Sequence, residues 1–119
     1  MKDTFKIGLV VAGALLMGSV ATTQAAPDKK LERLWKAKCA SCHGADGKGQ
    51  TEQGKKKGAE DMTTKEWQAA RKDADMLKTL GEGFKKEKNG VKQEMEAYKD
   101  KLKPEEMDAL IKYVRAFGG

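Results

Sequence analysis

Two cysteines stand three residues apart, and the residue after the second is the sole histidine of the 119-residue chain. The string is Cys39-Ala40-Ser41-Cys42-His43, and no further cysteine exists to pair with either thiol. On a helical turn, side chains three apart share a face, so both sulfurs point the same way. A disulfide between them would close a tiny loop and stabilise little. A C-x-x-C redox dithiol usually belongs to a βαβ setting, and this chain offers no strand pattern. A structural zinc site needs four ligands, and there is neither a second C-x-x-C nor a second histidine.

The rest of the chain is short of core formers. Beyond residue 25 it holds one isoleucine, Ile111, and two valines, Val91 and Val114. A domain of that size is marginal on burial alone and commonly needs a staple. A haem supplies what is missing, being a large flat apolar body around which short helices can pack. C-x-x-C-H is the pattern of c-type haem attachment. Cys39 and Cys42 would bond the two vinyl groups along one edge, and His43 would turn its ring to the iron as the proximal ligand.

The first 25 residues differ in character from the other 94. Lys2 and Lys6 precede an uncharged apolar run over residues 7–20, and Thr23 and Ala25 are small residues placed for cleavage after Ala25. That layout predicts a cleavable secretory signal peptide over residues 1–25 and one domain over residues 26–119. The apolar run is short against the roughly 20 residues of a membrane-spanning helix, so an uncleaved anchor is the lesser alternative. Without residues 1–25, the chain keeps 22 basic and 17 acidic residues, a net charge of +5. The signs are interspersed, as on a solvated surface; this excess suits acidic partners and argues against nucleic acid.

The domain reads as all-α, a bundle of about four short helices joined by Gly-rich loops. β-branched residues are too scarce, and alternation too weak, for a sheet. Asp28 is placed to cap a helix over about residues 28–41, with Leu31, Leu34, Trp35 and Lys38 on one stripe. Residues 44–60 read as a polar loop holding Lys55, Lys56 and Lys57. A second helix begins near Thr63, where Thr63 and Glu66 have capping-box spacing, and carries Trp67 and Ala70. A third is capped at Asp73, presents Met76, Leu77 and Leu80, and stops at Gly81 and Gly83. Residues 84–101 read as charged and irregular. The last helix opens with Pro104, Glu105 and Glu106, where proline and acidic residues belong. Its apolar face is Met107, Leu110, Ile111, Val114 and Phe117.

A second axial ligand is expected from methionine, the soft partner that raises the potential in electron carriers. Four methionines lie beyond residue 25: Met62, Met76, Met95 and Met107. Met76 and Met107 sit on apolar helix faces and read as core, and Met62 as a residue lining the pocket. Met95 lies in a charged segment with little reason to be buried, far enough from His43 for its loop to fold over the other haem face. Met95 is therefore favoured, with an open or otherwise liganded iron as the alternative.

The segment from Cys39 to Gly49 (CASCHGADGKG) resembles the haem-binding segment of the small monohaem class I cytochromes c. Met95 to Phe117 (MEAYKDKLKPEEMDALIKYVRAF) is similar to that family's axial-methionine loop and final helix. Glu96 stands where the family commonly has proline, and Tyr98 keeps the aromatic. The stretch Gly58 to Met62 looks like the segment whose proline carbonyl steadies the haem histidine, here without the proline. The resemblance implies one covalently attached haem c with its iron, held by Cys39, Cys42, His43 and Met95. It implies first and last helices that cross, bringing Leu31, Leu34 and Trp35 to Ile111, Val114 and Phe117. Tyr113 and Trp67 are expected to pack ordinarily rather than reach polar haem groups.

The resemblance further implies a monomeric, periplasmic one-electron carrier that is not an enzyme. Its partners would be redox proteins with acidic docking surfaces, a membrane oxidoreductase among the candidates. Lys48, Lys55, Lys56 and Lys57, with Lys92 and Lys99, are the lysines that could steer them, a plain solubilising surface being the equal alternative. A gas-binding or sensor protein, or a small haem subunit of a larger oxidoreductase complex, is the alternative. A peroxidase-like catalyst fits poorly, since no second histidine or arginine pair suggests a distal acid–base site.

Overall fold

The computed structural model describes residues 28–119, together with Gly13 and Gly18. Those two glycines apart, the expected signal peptide lies outside the described residues. Among them, no helix is long and apolar enough to cross a membrane.

The first helix, α1 (Lys29–Lys38), begins where the Asp28 carboxylate accepts the Lys30 N–H at 2.9 Å. Its single buried side chain is Trp35. The expected helix over 28–41 is in fact two. Cys39 departs from helical geometry at φ −119°, and a single further turn, α2 (Ala40–His43), carries the second cysteine and the histidine. Residues 44–60 are not all loop either, because α3 (Glu52–Lys57) forms within them. Thr51 caps it, its oxygen accepting the Gly54 N–H at 2.8 Å while its hydroxyl donates to the Ser41 carbonyl at 2.6 Å. That residue docks α3 on α2. The docking also needs Gly54, where a Cβ would stand 2.1 Å from the Cys42 carbonyl oxygen.

Helix α4 (Lys65–Ala69) is capped by Thr64, one residue after the expected Thr63, and Thr64 accepts the Trp67 N–H at 3.1 Å. Thr63 instead turns back, donating to Asp61 through both its N–H and its hydroxyl. Helix α5 (Asp73–Glu82) has Lys72 at its cap, so Asp73 lies inside the first turn, where a negative charge meets the positive end of the helix. Met76 and Leu80 are its buried side chains and Leu77 is half-buried.

Where no strand was expected, an antiparallel hairpin forms. Strands β1 (Phe84–Lys88) and β2 (Val91–Met95) pair from Phe84↔Met95 to Lys88↔Val91. Asn89 and Gly90 make the turn at φ 52° and 77°, the left-handed pair of a two-residue hairpin. Among the described residues, six helices and two short strands thus stand in place of the expected bundle of about four helices, although the content remains mostly helical.

The last helix, α6 (Pro104–Ala116), forms as expected. Pro104 opens it, and the Glu106 carboxylate accepts the Lys103 N–H at 3.0 Å. Leu110, Ile111 and Val114 are buried, and Met107 and Phe117 pack at the edge of the core. α6 packs against α1, with the Trp35 ring centroid 5.2 Å from those of both Tyr113 and Phe117, so the expected meeting of Trp35 with Phe117 forms. Trp35 and Leu110, each 2% exposed, are the innermost side chains. Arg115 ties the helices together, its guanidinium bonding Asp73 at 2.7 Å and the Gln68 carbonyl at 2.6 Å. Gln68 in turn donates to the carbonyls of Met62 and Val114.

Candidate functional site

The helices and the hairpin enclose a cavity of 640 Å³, which fits a cofactor-sized guest. Cys39, Cys42, His43 and Met95 all line it. α2 and the Cys39 that precedes it bring three of them, because the five residues from Cys39 to His43 hold both sulfurs and the imidazole. The end of β2 brings the fourth. Met62 and Met76 line the cavity too, both buried, whereas Met107 does not. Leu80, Leu110, Ile111 and Val114 give the cavity its apolar wall.

The two thiols are free rather than joined. Before any haem is attached, burial, partly offset by the charge of Lys38, pushes the Cys39 thiol up to about 11. Burial lowers His43 below the ordinary histidine value, keeping the imidazole neutral, the form that binds a metal. His43 Nδ1 is a buried atom with no hydrogen-bond partner. Its ring lies 5.9 Å from Trp35, whose Nε1 donates to the Gly44 carbonyl at 3.0 Å. Among the described residues, no group of three His, Cys, Asp or Glu is arranged to hold a metal ion.

Polar groups gather at another part of the lining. Glu60 accepts from Trp67 Nε1 at 3.1 Å and Lys88 Nζ at 3.3 Å, and pairs with Arg71. Burial acts to raise Glu60, but the Lys88 hydrogen bond and the Arg71 charge outweigh it and hold the carboxyl below the usual range. Arg71 also lies 4.3 Å over the Trp67 ring. Exposed Lys57, Lys86 and Glu94 border the cavity as well, so it opens to solvent beside the hairpin. Of the lysines expected to steer partners, Lys57 lies at the lining, and Lys48, Lys55, Lys56, Lys92 and Lys99 are exposed elsewhere on the surface.

A family model described as cytochrome c matches residues 29–117. The chain belongs to the cytochrome c family. Two solved structures are similar to this cytochrome. The KustC0563 c-type cytochrome is 33% identical with a TM-score of 0.61, the match covering 74% of this chain and 96% of that one. A point mutant of the same protein gives 34% identity and a TM-score of 0.60, with 73% and 96% covered. The cbb3-type cytochrome c oxidase subunit FixP of Bradyrhizobium diazoefficiens is 32% identical over 90 residues, or 76% of this cytochrome. The match spans only about a quarter of that relative, 27% of its length.

As a cytochrome c, the protein carries a covalently attached haem c with its iron, through which electrons pass. The residues present fit that group. The cavity is mostly apolar, and the sole histidine lines it with a buried, neutral imidazole.

Sequence reasoning missed Gln93, Phe84 and Lys86, which line the cavity from the hairpin. The Asn89-Gly90 dipeptide was the one available signal for it.

Proposed function

We propose that this cytochrome is a periplasmic one-electron carrier whose haem is bonded through Cys39 and Cys42 and ligated by His43 and Met95. The observation that carries the reading is the convergence of all four residues on one cavity from two separate parts of the chain. When bound, the haem supplies a ferric–ferrous couple, which methionine ligation sets toward higher potential. The chain's own task is to hold the ligands still and keep water from them, and it needs no substrate pocket.

The choice of Met95 over Met62 is supported by where each backbone is tied. The Met62 N–H donates to the Gly47 carbonyl at 2.9 Å, within the loop that follows His43. Met95 sits before Tyr98 and Lys99, whose N–H groups donate to the carbonyls of Leu80 and Gly81 on α5. Met62 thus belongs to the histidine's side of the cavity, and Met95 to another wall. Lys57 and Lys86 beside the opening favour acidic redox partners through weak, salt-sensitive encounters. The leader over residues 1–25 supports export, after which it is removed.

A second reading, a haem subunit working within a membrane oxidase, is favoured by the likeness to FixP. A potentiometric titration of the purified protein tests the main reading. A single reversible one-electron wave, with electron exchange to added redox proteins that weakens with salt, supports a carrier. An irreversible couple, or exchange with no partner unless oxidase subunits are present, removes it in favour of the second.

A further inference from the structure

Gln93 is the one buried polar side chain among the described residues, at 7% exposure, on an otherwise exposed hairpin. Its Nε2 donates to the Gly58 carbonyl at 3.0 Å, across 35 positions of sequence. Its Oε1 is buried without a partner. The two strands could pair through their backbones without that bond, so the bond does not build the hairpin. It joins the hairpin to the loop after α3.

The contact is shaped for close approach. Gly58 is left-handed at φ +68°, and a Cβ there would lie 2.7 Å from Gln93 Cγ and 3.2 Å from the Lys92 carbonyl oxygen. An exposed ion pair, Lys57 to Glu94 at 3.5 Å, flanks it. Two residues beyond Gln93 is Met95. Side chains alternate along a strand, so Gln93 and Met95 leave the same face of β2, and both line the cavity.

We propose that Gln93 is a positioning residue for Met95: its amide, held on the Gly58 carbonyl, straps β2 to the loop after α3 and keeps the methionine sulfur on the iron. This rests on Met95 being the ligand. Met95 is then fixed on both sides, by Gln93 before it and by the Tyr98 backbone after it. The strap joins the strand bearing one proposed ligand to the α3 segment, which packs against the turn bearing the other.

The test uses the haem-loaded protein and carbon monoxide. Gln93→Met keeps the length and fill of the side chain but removes the amide, and it also removes the unpartnered oxygen, so the fold should tolerate it. Gln93→Glu, of the same size, replaces the donor with an acceptor and reads the same way. Lys92→Ala is the exposed control. Each variant is reduced, and the rate at which carbon monoxide displaces the sixth ligand is followed in the visible spectrum. The Gln93 variants should keep covalent haem but lose methionine about tenfold faster, the ratio that one buried hydrogen bond supports. Lys92→Ala should match the parent. Met95→Ala separates the two failures. If that variant binds carbon monoxide freely while the Gln93 variants keep the parental rate, the strap is wrong and the ligand stands. If it binds carbon monoxide no faster than the parent, the ligand reading fails and the strap with it.

Discussion

Tyr98 links the segment of Met95 to the backbone just before Cys39. Its Oη stands 3.0 Å from the Lys38 carbonyl oxygen and 2.9 Å from Glu96 Oε1, so its one proton is shared between them. Burial and then the Glu96 contact raise the phenol above the usual tyrosine value, which keeps that proton in place. Glu96, the residue after Met95, is held by Tyr98 and by Lys101 at 2.6 Å.

Tyr98→Phe removes the shared proton and leaves the Lys38 carbonyl without that donor. The holoprotein should lose about 1–2 kcal/mol of stability, read as a lower urea midpoint with unchanged slope. The ring stays buried, so covalent haem content should not change.

Gly54→Ala drives a methyl group against backbone, 2.1 Å from the Cys42 carbonyl oxygen and 2.6 Å from that of Gly49. Neither neighbour can rotate away. We expect a cost of about 3 kcal/mol, read as a lower thermal midpoint of the holoprotein.

Arg115→Ala deletes the guanidinium that joins Asp73 and Gln68 across more than 40 residues of sequence. The Asp73 pair is partly exposed and contributes little. The bonds to the Gln68 and Arg71 carbonyls account for most of an expected loss of about 1–3 kcal/mol in urea unfolding. Asp73→Ala should therefore cost much less than Arg115→Ala.

The Glu60 cluster predicts an acid limb. Burial alone would raise Glu60, but Lys88 and Arg71 prevail and its folded-state value is depressed. A depressed carboxyl stabilises the fold above its unfolded value, about 4.3, and that contribution fades as pH falls through the folded value. The urea midpoint should drop between about pH 5 and pH 3, and less steeply in Glu60→Gln. An equal drop in both proteins would assign the acid limb to other carboxylates.

The parts of the fold that were legible in the sequence are those whose reason lies within a few residues. Cys39 to His43 carries its chemistry in one contiguous string, and α6 shows both a proline start and a one-sided apolar period. α3 was hidden because its buried residue is Gly54: a helix that packs by lacking a side chain leaves no apolar period to find. The hairpin was hidden because its faces are mostly lysine and glutamate. It is held by an Asn-Gly turn and by backbone pairing of its two strands rather than by an apolar stripe. Met62 could be placed at the pocket from sequence, but its tie to Gly47, which sets it on the histidine side, needed the tertiary structure.

The central claim is that the iron is held on both axial faces, by His43 and Met95. The most direct measurement is the visible spectrum of the reduced holoprotein before and after carbon monoxide, run beside Met95→Ala. The account predicts a sharp c-type spectrum that carbon monoxide changes only slowly in the parent, and an immediate shift in Met95→Ala. An immediate shift in the parent would contradict it, leaving the sixth position open and the protein closer to a gas-binding haem than to an electron carrier.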